Sequence, residues 1–269
     1  MVGSVAQLWR YPVKSMLGEQ VAEADVTERG MLGDRRWAVL DKETGKIASA
    51  KTPRLWRALL SCRATAGPDG AVVLGPDGRS LADDGLTELL GRPVTLADTP
   101  PPGASLDRSK PDQVLARGLD AEVEADVVQF GSAAPEGTFF DFAPLHLITT
   151  STLRSVAALS PRTAIEVERY RPNLVIETAE SGFPEHAWVG AELRIGDGLV
   201  LRVIASTPRC AIPTLAHGEL PRDTYALRVL AEHNRVPALP GLNPEPCAGV
   251  YAQVVTPGRL RPGDHVAMG

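Results

Sequence analysis

The tetrapeptide Gly67-Pro68-Asp69-Gly70 is followed eight residues later by Gly75-Pro76-Asp77-Gly78, and each interrupts a short run of small and β-branched residues. Proline presets φ and cannot donate to a strand ladder, while glycine accepts the positive φ of a tight turn. Paired breakers at that spacing leave room only for short antiparallel strands, the pattern of barrels and sandwiches. The preceding residues agree. Strands are expected over residues 2–9, ending at Tyr11-Pro12, and over 20–26; segments 36–41 and 46–49 flank the hairpin signature Lys42-Glu43-Thr44-Gly45. Further strands are expected over 56–66 and 71–74, with Cys62 as a core residue, and one helix over 84–90, opened by an acidic cap and stopped at Gly91.

Residues 99–112 contain Pro100-Pro101-Pro102-Gly103 and little that packs, so they read as a linker or extended loop. The chain of 269 residues is long enough for two domains. The expected division is 1–98, a linker at 99–112, and 113–269. In the second part, strands are expected over 122–130 and 145–148, the latter running into Thr149-Thr150-Ser151-Thr152 ahead of a helical run at 153–159. One of those hydroxyls is expected to cap the helix, and a capped helix start also attracts anions. A strand at 173–177 is entered through Arg169-Tyr170-Arg171-Pro172-Asn173. Residues 191–195 and 199–204 form a hairpin across Gly196-Asp197-Gly198; a helix runs from Asp223 to about 235, and strands at 248–255 and 265–268 close the chain.

The hairpin leads into Ser206-Thr207-Pro208-Arg209-Cys210-Ala211-Ile212-Pro213-Thr214, a loop stiffened by proline on both sides of a thiol. Arg209 beside Cys210 favours the thiolate, the form that attacks electrophiles and binds metals, although a single cysteine near a strand end is ordinarily a small buried apolar residue. The three cysteines, Cys62, Cys210 and Cys247, are odd in number and far apart, which excludes a disulfide framework, a C-x-x-C metal knuckle and a four-cysteine iron–sulfur site. Cys247, after Pro246 and opening a strand, reads as structural. The five histidines never fall at H-x-x-x-H spacing, so a zinc site is unsupported. His146 reads as a core histidine, and His217 as an exposed loop residue near Cys210 able to donate a proton. Hydrolase, dinucleotide and NTP motifs are absent.

The formal net charge of −5 argues against nonspecific nucleic-acid binding. Only Lys14, Lys42, Lys46, Lys51 and Lys110 among the 28 cationic residues are lysines; the arginine excess suits bidentate contact with an anionic small ligand. No apolar run approaches bilayer length, and the first residues lack the charged-then-apolar order of a signal peptide, so no membrane partner and a cytoplasmic location are expected.

Four stretches share one chemical theme: Tyr11-Pro12-Val13-Lys14-Ser15, Gly33-Asp34-Arg35-Arg36-Trp37, Arg169-Tyr170-Arg171-Pro172-Asn173 and Pro208-Arg209-Cys210. Singly, each reads as solvated charge. Together and in this order they resemble MOSC-domain proteins with the MOSC N-terminal β-barrel domain in front, relatives of the molybdenum cofactor sulfurase C-terminal domain and of the mitochondrial amidoxime-reducing component. The resemblance covers nearly the whole chain. It implies an α+β, predominantly β fold, a small N-terminal β-barrel over 1–98 packed against a MOSC β-barrel over 113–269, with the ligand in the cleft between them.

The resemblance further implies a molybdenum–molybdopterin cofactor with Cys210 as catalytic residue and metal ligand. Lys14, Ser15, Arg35, Arg171 and Asn173 match positions that hold the pterin and phosphate. Arg209 matches the residue beside the ligand, and Thr149, Thr150 and Ser151 fall where hydroxyls reach the cofactor. No flavin, haem or Fe–S cluster is expected in the chain, so the implied activity, reduction of N-hydroxylated or N-/S-oxide small molecules, needs an external electron donor, a ferredoxin or flavoprotein reductase. Two other readings stay open: a sulfur carrier using a Cys210 persulfide, and a non-catalytic cofactor binding or delivery module. The loop departs from the reductase pattern at Pro213, where a threonine pair is broken, and at His217, which places the substrate-facing floor of the site in question.

Overall fold

The computed structural model describes residues 2–67, 70–129 and 133–269. Pro68 and Asp69 of the first turn, and Phe130 at the end of the expected strand 122–130, lie outside the described residues. Seven strands close into a barrel: β1 (Gly3–Arg10), β2 (Leu145–Thr149), β3 (Leu174–Glu177), β4 (Glu192–Ile195), β5 (Leu199–Pro208), β6 (Pro244–Thr256) and β7 (His265–Met268). Their order is β2-β3-β1-β7-β4-β5-β6, and β6 pairs back onto β2. Only β2 and β3 run parallel. Their crossover carries helix α1 (Thr150–Leu159), because parallel neighbours cannot be joined by a hairpin.

Period-two patterning is clearest in the β4–β5 hairpin. In β5, Leu199, Leu201 and Val203 are buried while Val200, Arg202 and Ile204 face away. The inward residues join Val5, Leu8, Leu145, Leu147, Ile176, Leu193 and Val250 in one core. At the tip of the β4–β5 hairpin, Gly196 takes φ +55°, where a Cβ would press on the Asp264 carboxylate at 3.0 Å.

The division of the chain is less linear than 1–98 and 113–269. β1 hydrogen-bonds to β3 and β7, so the first strand completes the barrel of the second half. Without it, β3 and β7 would each present an open edge. Residues 99–112 are also more than a linker: Ser105–Ser109 pairs with Ala125–Gln129, and a short helix begins at Pro111. Within the N-terminal part, Ala38–Asp41 pairs with Val94–Ala97, and Arg63–Gly67 with Gly70–Leu74. These pairs surround a separate core containing Val13, Met16, Val39, Trp56, Leu59, Cys62 and Leu86.

The strand expected over 56–66 begins only at Arg63; Pro53–Trp56 and Arg57–Ser61 are helical instead. Trp56, Leu59 and Leu60 are the buried residues here, and their spacing of three and four is a helical period. The hairpin expected at Lys42-Glu43-Thr44-Gly45 reduces to a single bridge between Leu40 and Ile47. The expected helix runs over Asp83–Leu90 and stops at a left-handed Gly91 (φ +64°), but Ala82 holds the N-cap position in place of an acidic cap, with Asp83 and Asp84 in the first turn.

Three of the five histidines are held neutral. Burial pulls the pKa of His186 and of His217 down to about 4, and burial reinforced by Arg209 pulls His146 well below its ordinary value. In the unfolded chain all three take up a proton near pH 6.5. Stability is therefore complete above that pH and is lost as pH falls toward 4. Around pH 5 the loss should be about 1.4 kcal/mol per pH unit for each histidine. Urea denaturation at pH 7, 6 and 5 checks this, and His217→Asn, which keeps a donor for the Leu215 carbonyl, should remove about a third of the histidine slope.

Candidate functional site

Among the described residues, four non-glycine residues have positive φ: Ser15 (63°), Arg35 (44°), Thr163 (56°) and Arg171 (54°). Three of them, Ser15, Arg35 and Arg171, line one cleft of about 310 Å³. Each such residue costs about 1–3 kcal/mol and survives only where its surroundings dictate the conformation. Here the surroundings are identifiable. The Ser15 hydroxyl accepts from the Ala50 amide at 3.1 Å. The Arg35 amide donates to the Tyr11 carbonyl at 2.8 Å, and Nη1 of Arg171 donates to the Met16 carbonyl at 2.5 Å.

The two guanidiniums share an aromatic floor. The Cζ atoms of Arg35 and Arg171 lie 4.6 and 4.4 Å from the Tyr11 ring centroid. Burial and the neighbouring Arg35 charge pull Arg171 down to about 10, still cationic at neutral pH. Burial works against Arg35 too, but the Asp34 carboxylate at 2.5 Å outweighs it and holds Arg35 above its ordinary value. Asn173 ties the pieces together: Oδ1 accepts from Arg35 Nη1 at 3.2 Å and from the His146 amide at 3.1 Å, while Nδ2 donates to the Trp9 carbonyl at 3.3 Å.

A second charged group lies in the same cleft. The Lys14 ammonium donates to Asp141 Oδ1 at 2.5 Å and to the Phe139 carbonyl at 2.9 Å, and the Lys51 ammonium reaches the same Asp141 oxygen at 3.0 Å. Burial lowers Lys14 to about 8 despite Asp141. For Lys51, burial is outweighed chiefly by the Asp141 carboxylate, which holds it above its ordinary value. Asp141, half-buried between two ammoniums, stays well below the usual carboxylate range. The lining carries six cations, Lys14, Arg35, Lys51, Arg108, Arg171 and Arg209, against this one carboxylate. Such an imbalance suits a polyanion.

Cys210 reaches the cleft from the end of β5, which runs on to Pro208 rather than stopping at 204. Arg209 pins the turn: Nη2 donates to the Tyr170 carbonyl at 2.7 Å, and Nη1 lies 3.4 Å from His146 Nε2. The neutral His146 ring faces two carbonyls, Arg171 at 3.4 Å from Nδ1 and Ala248 at 3.3 Å from Nε2, and its single proton serves one of them. The Nε of Arg209 is buried without a partner among the described residues.

The structure thus brings Lys14, Ser15, Arg35, Arg171, Asn173, Arg209 and Cys210 together and leaves Thr149, Thr150 and Ser151 out of the lining. Those hydroxyls have structural tasks. Thr149 caps α1 by accepting from the Thr152 amide at 3.0 Å and donates to the buried Glu185 at 2.7 Å. Thr150 accepts from Arg154, and Ser151 donates to the Gly182 carbonyl. His217, expected to be exposed, is 3% exposed and neutral, lies outside the Cys210 cleft and donates through Nδ1 to the Leu215 carbonyl at 3.0 Å. Pro213 is buried in a short 3₁₀ turn, Ile212–Thr214, that follows Cys210. Cys247 is buried outside the lining.

Lys51, Asp141, His146 and Tyr251 are lining residues that sequence reasoning did not place there. Two signals pointed to them. Lys51 is one of few lysines in an arginine-rich chain, and Asp141 is a lone charge inside Phe139-Phe140-Asp141-Phe142, which demands a buried partner.

Burial raises the thiol pKa of Cys62 to about 11 and of Cys247 to about 12, whereas Cys210 is half-buried. A disulfide reagent such as DTNB should therefore titrate one thiol rapidly in the native protein and two more only in denaturant. In Cys210→Ser the rapid phase should vanish.

The MOSC domain family matches residues 134–267, and the MOSC N-terminal beta barrel domain matches residues 2–84. Mitochondrial amidoxime-reducing component 1 of Mus musculus is 25% identical over 305 residues, covering 98% of this chain and 82% of its own. Mitochondrial amidoxime reducing component 2 of Homo sapiens is 26% identical over 288 residues, covering 98% and 83%. Among solved structures, the YUAD protein from Bacillus subtilis covers 100% of this chain and 96% of its own at 13% identity, with a TM-score of 0.46, a likeness too distant to carry an argument. No helix of the described residues is long and apolar enough to cross a membrane. With its thiol-bearing cleft set between segments of both matched regions, the chain belongs to the MOSC family, carrying a MOSC N-terminal beta barrel domain ahead of its MOSC domain.

Proposed function

We propose that this chain is a molybdenum-cofactor-dependent reductase of small molecules bearing oxygen on nitrogen or sulfur, with Cys210 as the protein ligand to the metal. One observation carries the reading: six residues from four distant stretches, Lys14, Ser15, Arg35, Arg171, Asn173 and Cys210, line a single cleft. The donor set fits a pterin phosphate bearing a soft metal. Lys14, Lys51, Arg35 and Arg171 offer charge to the phosphate, the unpartnered Arg209 Nε offers a donor, and one half-buried thiol offers soft sulfur.

When bound, the cofactor supplies two-electron oxygen-atom chemistry. The net reaction for an N-hydroxylated substrate is R–N–OH + 2 H⁺ + 2 e⁻ → R–N–H + H₂O: the N–O bond breaks and the oxygen leaves as water. Electrons come from an external donor, a ferredoxin or flavoprotein reductase. The chain's own residues orient and protonate. Arg35 and Arg171 fix the anion against Tyr11, Asn173 keeps Arg35 in place, and Lys51, paired with Asp141, holds a proton on Nζ in the same cleft as Cys210. Burial and Asp141 raise the Tyr251 phenol above its ordinary value, so it stays protonated where it lines the cleft.

Metal analysis of freshly purified protein tests the proposal. About one molybdenum per chain, absent from Cys210→Ser, is the expected result. Metal-free protein bearing a cyanolysable sulfur on Cys210 would instead establish a persulfide carrier, and metal retained in Cys210→Ser would point to simple cofactor binding or delivery.

A further inference from the structure

A second cavity, of about 410 Å³, lies between the end of β1, the turn beginning at Gly75 and the chain from His217 to Leu220. Arg171 lines both this cavity and the Cys210 cleft, whereas Tyr11, whose ring carries Arg35 and Arg171, lines this cavity and not the cleft. The two spaces therefore meet at one arginine. Their charges differ. The cleft sets six cations against one carboxylate, but here Arg63 and Arg171 are balanced by Glu168 and Glu219, so a polyanion gains nothing from the second space.

Two buried polar atoms in the wall have no partner among the described residues. They are the Tyr11 hydroxyl and His217 Nε2, on residues 1% and 3% exposed. Their chemistry is complementary. Burial raises the Tyr11 phenol above its ordinary value, so it keeps its proton and donates. Nδ1 of the neutral His217 ring donates to the Leu215 carbonyl at 3.0 Å, which leaves Nε2 as an acceptor only. Buried donors and acceptors are costly when unmatched, and a ligand that answers both recovers that cost. The charges around them are unpaired too: Arg63, Glu168 and Glu219 form no ion pair and no side-chain hydrogen bond among the described residues. The rest of the wall is apolar. The Trp9 and Tyr11 rings stand 6.5 Å apart and 19° from parallel, and the Trp9 indole N–H is already taken by Gln7 at 2.9 Å, so Trp9 offers only its ring.

We infer that this cavity binds a free α-amino acid with an apolar side chain. The ammonium donates to His217 Nε2 and meets Glu168, the carboxylate accepts from the Tyr11 hydroxyl and meets Arg63, and the side chain lies against Trp9, Leu17 and Leu220. An anion without a proton to give leaves His217 Nε2 unanswered, and a cation without an acceptor leaves the Tyr11 hydroxyl unanswered. A zwitterion answers both. The site stands apart from the cofactor and reductase readings, because Arg63, Glu168 and His217 line this cavity and not the Cys210 cleft.

Calorimetric titration of the purified protein with L-phenylalanine tests the site, with 3-phenylpropanoate and phenethylamine as analogues lacking the ammonium and the carboxylate. L-phenylalanine should saturate one site with a Kd below about 1 mM, and each analogue should bind at least about tenfold more weakly. Glu168→Gln should weaken L-phenylalanine about tenfold, and Arg63→Gln, at a more exposed position, about threefold. Both side chains are unpaired and reached by solvent, so the variants keep the fold, which an unchanged thermal transition verifies. No saturable binding up to about 10 mM L-phenylalanine, analogues that bind as tightly as the amino acid, or full affinity in either variant overturns the inference and leaves ordered water as the partner of the two orphaned atoms.

Discussion

Arg169→Met should destabilise the protein by about 3–5 kcal/mol, the range for stripping one partner from a buried charged network. The Arg169 side chain is fully buried. Its Nη1 donates to the Pro213 and Leu215 carbonyls at 3.4 and 3.1 Å, Nη2 to the Pro221 carbonyl at 2.9 Å, and Nε to Glu166 at 2.5 Å. Methionine fills similar volume but satisfies none of these acceptors. Arg169→Lys should recover little, because one ammonium cannot span acceptors set out for a planar fork. Urea denaturation gives the loss. The same acceptors belong to the chain that follows Cys210, so the rapid thiol phase with DTNB should also change rate in both variants. An unaltered rate together with lost stability would show that Arg169 supports the loop without positioning the thiol.

Gly249→Ala should cost about 2–5 kcal/mol, combining positive-φ strain with overpacking. Gly249 has φ +77°, and a Cβ there would lie 2.3 Å from His146 Nε2 and 2.4 Å from the Leu147 carbonyl. It sits where β6 closes the barrel onto β2, with its amide donating to Glu185 at 3.1 Å. Relief requires either opening that pairing or pushing His146 away from Arg209, and the second route misplaces Cys210. Gly45 separates the two terms: its φ is +68°, yet a Cβ there meets nothing within 4 Å, so Gly45→Ala should cost only about 1 kcal/mol. A similar cost for both alanines would refute the steric argument.

Much of the barrel was legible because its strands state their own period. The β4–β5 hairpin alternates buried and outward residues around a turn marked by glycine, whereas β2 is buried throughout and was legible as an apolar run, and β1 buries only Val5 and Leu8. The segment at 53–61 misled because a run rich in apolar residues satisfies both periods, and only burial of Trp56, Leu59 and Leu60 picks the helix. Of the hydroxyls at 149–151, none reaches the cleft: Thr149 is taken by Glu185 and the α1 cap, Thr150 by Arg154, and Ser151 by the Gly182 carbonyl. Glu185 is distant in sequence, and nothing local announces it.

The contrast between Arg169 and Arg171 shows where the sequence stops. Two residues apart, they looked alike: both basic, both in Arg169-Tyr170-Arg171-Pro172-Asn173. What the sequence determined alone is a β-rich chain, a stiff turn offering Cys210, and a set of cationic stretches suited to an anion. Only the tertiary structure decided that Arg171, held at φ 54° over Tyr11, faces the cleft while Arg169 is buried as a staple. It also decided that Lys51 and Asp141 join Lys14 there. Local sequence sets which conformations a segment can adopt, but the direction of a charged side chain follows from which distant carbonyls and carboxylates the fold brings within hydrogen-bond reach.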